Sequence, residues 1–263
     1  MKKFLLAGVA AGAVAAAGSA DAADIPMPMN PYVQGPPIFS WSGCSVGGHV
    51  GWGWSRTTLG DAPGGSSSAL IDFSGLGRSA SVNGNGVVFG GQLGCDYQFN
   101  PWFVAGIQAS FAGADINGTA ADPFDFNSPL QAKTDFLSDL SLRLAYAWNN
   151  VLFYGKGGVA WAHNNYSFTT SPAAAAAFHS FFTSSGVDVP FGAIAGAGIE
   201  WAFWGNWSAF LEYDHYFFGN DVVTFVAPSG FINLVNVKQD IDAVKVGVNY
   251  RFNFWPQPIS DRY

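Results

Sequence analysis

The sequence is short of charge. Only 11% of its 263 residues are Asp, Glu, Lys or Arg, and the balance is acidic, with 11 basic against 18 acidic side chains. It carries no basic cluster, which argues against nucleic acid as a partner. Cysteine is nearly absent: Cys44 and Cys95 are the only two. Two cysteines in a chain this long do not make a disulfide scaffold, and no Cys/His spacing suits a metal. Long apolar runs are missing as well. The run at the N-terminus ends near Ala17, short of the roughly 20 residues a spanning helix needs. Any insertion into a membrane must therefore be made with strands.

The opening residues, MKKFLLAGVAAGAVAAAGSADA, combine Lys2 and Lys3, a short apolar run and small residues before Ala22. They read as a secretory signal, residues 1–22. Removing Lys2, Lys3 and Asp21 leaves 9 basic and 17 acidic residues and moves the net charge from −7 to −8. Residues 23–40 hold Pro26, Pro28, Pro31, Pro36 and Pro37. Such proline density favours extended chain, and the segment is expected to be a periplasmic linker. A barrel domain is expected over 41–254, with a tail over 255–263.

What the chain has in quantity is glycine, 33 residues, and aromatics, 16%. They fall in a period-two pattern. In VKVGVNYRF, Val244, Val246, Val248, Tyr250 and Phe252 share one face, and Lys245, Asn249 and Arg251 the other, as strand side chains alternate. The same alternation predicts strands over 42–55, 86–99, 102–113, 136–148, 151–163, 190–201, 207–217 and 244–252. The connections alternate too. The stretches 56–84, 115–133, 165–188 and 219–236 read as long loops; Asn100-Pro101, Asn149-Asn150 and 203–206 read as short turns. Up-and-down transmembrane barrels sort their loops in this way.

Aromatic residues gather at both ends of the pattern. Phe99, Trp102, Trp148, Trp201, Trp204, Trp207, Tyr250 and Phe252 lie at the short-turn ends; Trp52, Trp54, Phe111, Trp161, Phe217 and Phe218 lie toward the long loops. Two belts flanking a band of Ala, Val, Leu and Gly match the two interfaces of a bilayer. The fold class is therefore an all-β, transmembrane up-and-down antiparallel barrel of eight strands, located in the outer membrane. Its apolar faces turn to lipid.

The inward set is then polar: His49, Gln92, Asp96, Gln108, Asp139, Arg143, Lys156, Glu200, Glu212, Asp214, Lys245 and Arg251. Side chains fill a barrel of about eight strands, and buried charges must pair. An internal salt-bridge network of Asp139, Arg143, Lys156, Glu200, Glu212, Lys245 and Arg251 is expected to plug the lumen. A small conducting channel is the alternative. Cys44 and Cys95 fall on the lipid face near the short-turn ends of adjacent strands, so they are expected to be close; whether they bond stays open. No nucleophile–base motif stands out, and His49 has no marked serine partner, so no catalytic residue is assigned. No cofactor is expected.

The stretches WSGCSVGGHVGWGWS and KVGVNYRF and the proline-rich segment after AADIP resemble the opacity-type outer-membrane β-barrel family, in particular the outer-membrane immunogenic proteins of alphaproteobacteria. The resemblance implies a surface-exposed eight-stranded barrel, handled by the barrel-assembly machinery and surrounded by outer-membrane lipid and lipopolysaccharide. It also implies roles ranging from structural protein and immunogen to small porin or hemin receptor, with host or surface ligands met through the long loops. For hemin, the residues of interest are His163 and His179 in the third long loop. The chain departs from the family where Cys44 and Ser45 replace an aromatic pair, and where NFWPQPISDRY follows Phe252.

Overall fold

A computed structural model describes residues 39–61, 80–121, 129–169, 183–226 and 232–252. The expected signal, most of the linker, the tail and His179 lie outside the described residues. The strands are β1 (Gly43–Asp61), β2 (Ala80–Gln98), β3 (Phe103–Ala121), β4 (Pro129–Trp148), β5 (Val151–Thr169), β6 (Thr183–Asp188), β7 (Phe191–Trp204), β8 (Trp207–Val226) and β9 (Ile232–Phe252). Each pairs antiparallel with its neighbours, and β1 pairs with β9 over Cys44↔Phe252 to Asp61↔Val235, which closes the sheet. β6 and β7 form one stave, since both pair with β5. The break between them falls at Val189-Pro190, where proline has no N–H to give. The Pro190 carbonyl still accepts a hydrogen bond from Ala162 N–H at 3.3 Å. The barrel therefore has eight staves, as the periodicity predicts.

The short-turn end is built by tight geometry. Asn149 takes a left-handed conformation, φ 56°, in the turn joining β4 to β5, a conformation Asn tolerates better than most residues. The Asn100 side-chain oxygen accepts from Trp102 and Phe103 N–H at 2.9 and 2.8 Å, which starts β3.

Between the belts the outer face is apolar and open. Leu142 and Leu144 are 67% and 71% exposed, and Val50, Phe89, Leu93 and Leu211 are exposed as well. A soluble protein rarely leaves so continuous an apolar band uncovered; lipid covers it here. Above Trp54, Phe111, Trp161 and Phe217 the outer face turns polar, with Arg56, Asn83, Asp115, Lys133 and His163.

The strands correct the sequence reading in length. They run well into stretches expected to be loops: β1 to Asp61, β3 to Ala121, β4 from Pro129, β5 to Thr169, β8 to Val226 and β9 from Ile232. The reason is a change of solvent. Beyond the outer belt both faces change character. Leu59, Val82, Leu130, Val235 and Val237 point inward and are buried, while polar residues point out. Alternation continues with its apolar phase reversed, because the outer wall now meets water. Bulges between Thr134 and Phe136 on β4 and between Phe217 and Asn220 on β8 shift the facing by one residue.

Phe218 is a second correction. It does not join the outer belt; it is buried inside, stacked on Tyr216 with ring planes 6° apart. It continues the inward row of Glu212, Asp214 and Tyr216, so strict alternation places it inside; grouping it with Phe217 in the belt ignores that alternation.

Candidate functional site

The lumen is built in layers, read in the same order along each stave. On β4 the inward side chains from the short-turn end are Ala147 and Ala145, then Arg143, Ser141 and Asp139, then Leu137, then Thr134, then Ala132 and Leu130. On β9 they are Arg251, Asn249 and Lys245, then Ala243 and Ile241, then Gln239, then Val237 and Val235. Strand pleating aligns these positions around the wall, so each layer closes on itself.

The lowest layer is apolar: Val104, Ala145, Ala147, Leu152 and Ala202 surround Trp41, which is 0% exposed. Trp41 precedes β1 and enters the mouth from below. Its backbone N–H donates to Gln98 Oε1 at 3.0 Å, and its backbone carbonyl accepts from Arg251 Nη1 at 2.6 Å. The Arg251 guanidinium lies 5.3 Å from the indole centre, and Phe39 packs edge-on at 4.7 Å.

Above it lies the charged layer, in two linked groups. In the first, Arg251 Nη1 and Nη2 both donate to Asp96 Oδ2 at 3.1 Å, and Arg143 Nη1 reaches the same oxygen at 3.4 Å. Arg143 Nη2 donates to Glu200 Oε2 at 2.9 Å. Ser208 and Asn249 donate to Glu200 Oε1 at 2.6 and 3.0 Å. In the second, Lys156 Nζ stands 2.9 Å from Glu212, 3.0 Å from Asp214 and 3.6 Å from Asp139. Lys245 pairs with Glu212 at 3.3 Å and with Asp214. Tyr154 joins the groups: Arg143 stacks 4.0 Å above its ring, and its hydroxyl donates to Glu212 Oε2 at 2.9 Å.

Every residue of the expected network, Asp139, Arg143, Lys156, Glu200, Glu212, Lys245 and Arg251, is buried and lies in this layer. Sequence reasoning put Asp96 and Asp214 inside without making them partners, although each bridges two cations. It missed Tyr154 as a link and Trp41 as a stopper. A tyrosine two positions before an inward lysine, and so on the same face, was the available signal for the first; nothing in the sequence around residue 41 signalled the second. His49 is 7% exposed, and among the described residues neither ring nitrogen has a hydrogen-bond partner.

Two further layers sit above. An apolar one includes Val88, Ile116, Leu137, Ile194, Phe218 and Ile241. Then comes a closed triangle: Thr134 donates to Asn164 at 2.7 Å, Asn164 to Gln239 at 2.6 Å and Gln239 back to Thr134 at 3.3 Å. A last apolar layer of Leu59, Val82, Leu130, Tyr166, Val223 and Val235 follows.

On the outer wall, the belt residues Trp52, Trp54, Trp102, Trp148, Trp161, Trp201, Trp207 and Phe252 all point outward and are exposed. His163 is on the wall above the outer belt, with Nδ1 3.9 Å from Asp135 and a side chain 42% exposed. Cys44 and Cys95 are directly opposed on β1 and β2, with Cα atoms 4.0 Å apart and their sulfurs joined. The bridge closes a separation of 51 residues. In the loop-closure account, a link of this span is worth about 2–4 kcal/mol. The C44A/C95A double variant is expected to unfold at lower urea concentration than the oxidised protein, and dithiothreitol is expected to lower the wild type to the same midpoint.

Comparison with known proteins agrees with this architecture. The family model described as outer membrane protein beta-barrel domain matches residues 4–252. The chain is 27% identical over 254 residues to the 31 kDa outer-membrane immunogenic protein of Brucella melitensis, covering 96% of this chain and 100% of that one. The Brucella suis protein of the same name matches equally. Among solved structures, the outer membrane protease OmpT from Escherichia coli is similar with a TM-score of 0.48 at 8% identity, covering 80% of this chain and 97% of that one. OprG from Pseudomonas aeruginosa is similar with a TM-score of 0.40 at 15% identity, covering 80% and 96%. The chain is an outer-membrane protein and belongs to the outer membrane protein beta-barrel domain family.

Proposed function

We propose that this protein is a closed, non-catalytic surface barrel of the outer membrane, a structural scaffold that holds its long loops outside the cell. The observation that carries the reading is the filling of the lumen. Trp41, the paired charges and the apolar layers succeed one another along the axis, and their inward side chains are at most 9% exposed. A conducting pore needs a continuous wet path, and dry apolar layers oppose one. The reading needs no cofactor. Its partners are outer-membrane lipid and lipopolysaccharide, the barrel-assembly machinery, and host or surface ligands met by the loops.

The test is planar-bilayer recording of refolded protein whose gel mobility changes on boiling. A heat-modifiable protein is expected to give no discrete openings. Stable openings whose size changes when Arg143 or Lys156 is neutralised would replace this reading with a small channel.

A further inference from the structure

The outer wall carries two adjoining recesses. The first lies in the lipid-facing band across β5, β7, β8 and β9. Ala195 and Ala197 on β7, and Gly155 and Gly157 on β5, point outward among larger neighbours. A hollow of about 590 Å³ opens beside them, lined by Phe153, Ala197, Ile199, Leu211, Tyr213 and Val244 on the lipid side and bounded by Tyr154, Gly198 and Glu212 of the wall. At its upper end Tyr213 Oη donates to Asp242 Oδ1 at 2.6 Å, and His215 Nδ1 lies 2.6 Å from the same oxygen. The second recess begins at Asp242, two residues from Val244 on the same face of β9. It measures about 230 Å³ and is lined by Trp54, Arg56, Asn83, Asn85 and Asp242. Its level is that of the outer belt and the first polar row above it.

The second recess has a distinctive chemistry. Trp54 offers an indole face, 45% exposed. The side chains of Arg56, Asn83 and Asn85 line the recess beside Asp242, whose carboxylate the Arg56 charge favours. The cross-strand pairs Arg56↔Asn83 and Trp54↔Asn85 fix these four side chains beside one another. Primary amides both donate and accept, arginine donates and Asp242 accepts. That mixture suits hydroxyl groups, each of which does both. One arginine facing one carboxylate gives little net positive charge, so a bare phosphate is poorly served.

We propose that the two recesses form one site for an acylated sugar lipid of the outer leaflet: a sugar ring on Trp54 among Asn83, Asn85, Arg56 and Asp242, and an acyl chain in the hollow below. The site deepens the lipid-partner reading above and rests on it. The hollow lies where acyl chains run and the polar cleft where head groups lie, so a single lipid spans both.

The test is native mass spectrometry of the refolded wild-type barrel with purified lipopolysaccharide or with phosphatidylglycerol. A one-to-one lipopolysaccharide adduct is expected, stronger than any phosphatidylglycerol adduct. The N83A/N85A variant is expected to weaken it about tenfold through lost hydrogen bonds, and Ala197→Leu to weaken it by filling the hollow. Both variants change only outward side chains, and retained heat-modifiability verifies their folding. Equal adducts from both lipids, or adducts that both variants leave unchanged, would overturn the proposal. In a heat-modifiable wild type, the absence of any adduct would overturn this site alone. A wild type without heat-modifiability would instead count against the barrel scaffold.

Discussion

Asp96→Ala is expected to destabilise the barrel by about 3–5 kcal/mol, the usual cost of removing one partner from a buried ion pair. Asp96 Oδ2 receives both terminal nitrogens of Arg251 and one of Arg143, and its side chain is 1% exposed. Without it, two guanidiniums share Glu200 alone. Water reaches them poorly, since Trp41 lies below and the Lys156–Glu212 group above. Urea unfolding in lipid vesicles, followed by heat-modifiability, measures the effect. The double variant D96A/R251A is expected to lose less than the two single losses added together, because it removes a charge along with its partner. Additive losses would show that the pair does not hold the layer together.

The second large effect is at Trp41. Trp41→Ala is expected to cost about 3–5 kcal/mol, as for other fully buried large aromatics. The indole fills the lower mouth among Val104, Ala147, Leu152 and Ala202 and lies under Arg251. Truncation removes that packing and admits water to the arginine. Trp41→Phe is expected to recover more than half of the loss. On the closed-lumen reading W41A stays electrically silent, since the charged and apolar layers above it remain. A midpoint of unfolding equal to wild type would mean that Trp41 is no stopper.

The two effects differ in how they were visible. Asp96 falls on the inward face of a clear alternation, so its burial could be read from the residues around it. Its partners could not. Arg251 lies 155 positions away and Arg143 lies 47 away, and they meet only because the sheet closes. Trp41 gives no sequence signal at all. It follows a proline-rich stretch and precedes the first alternating residue, and only the mouth of the folded barrel makes it a core residue.

Sequence by itself determined the number of staves, which face of each meets lipid, which end has the tight turns and which charges lie inside. These follow from local rules. Side chains alternate every residue, and a bilayer demands apolar groups outside and aromatic groups at its edges. Tertiary structure alone decided how far the strands rise above the membrane, because the outer face changes solvent there and the bulges at Thr134–Phe136 and Phe217–Asn220 shift the facing. It also decided which carboxylate holds which cation, and that Cys44 and Cys95 lie opposed closely enough to join. Those outcomes depend on distances across the lumen and between strands, set by closure of the barrel as a whole.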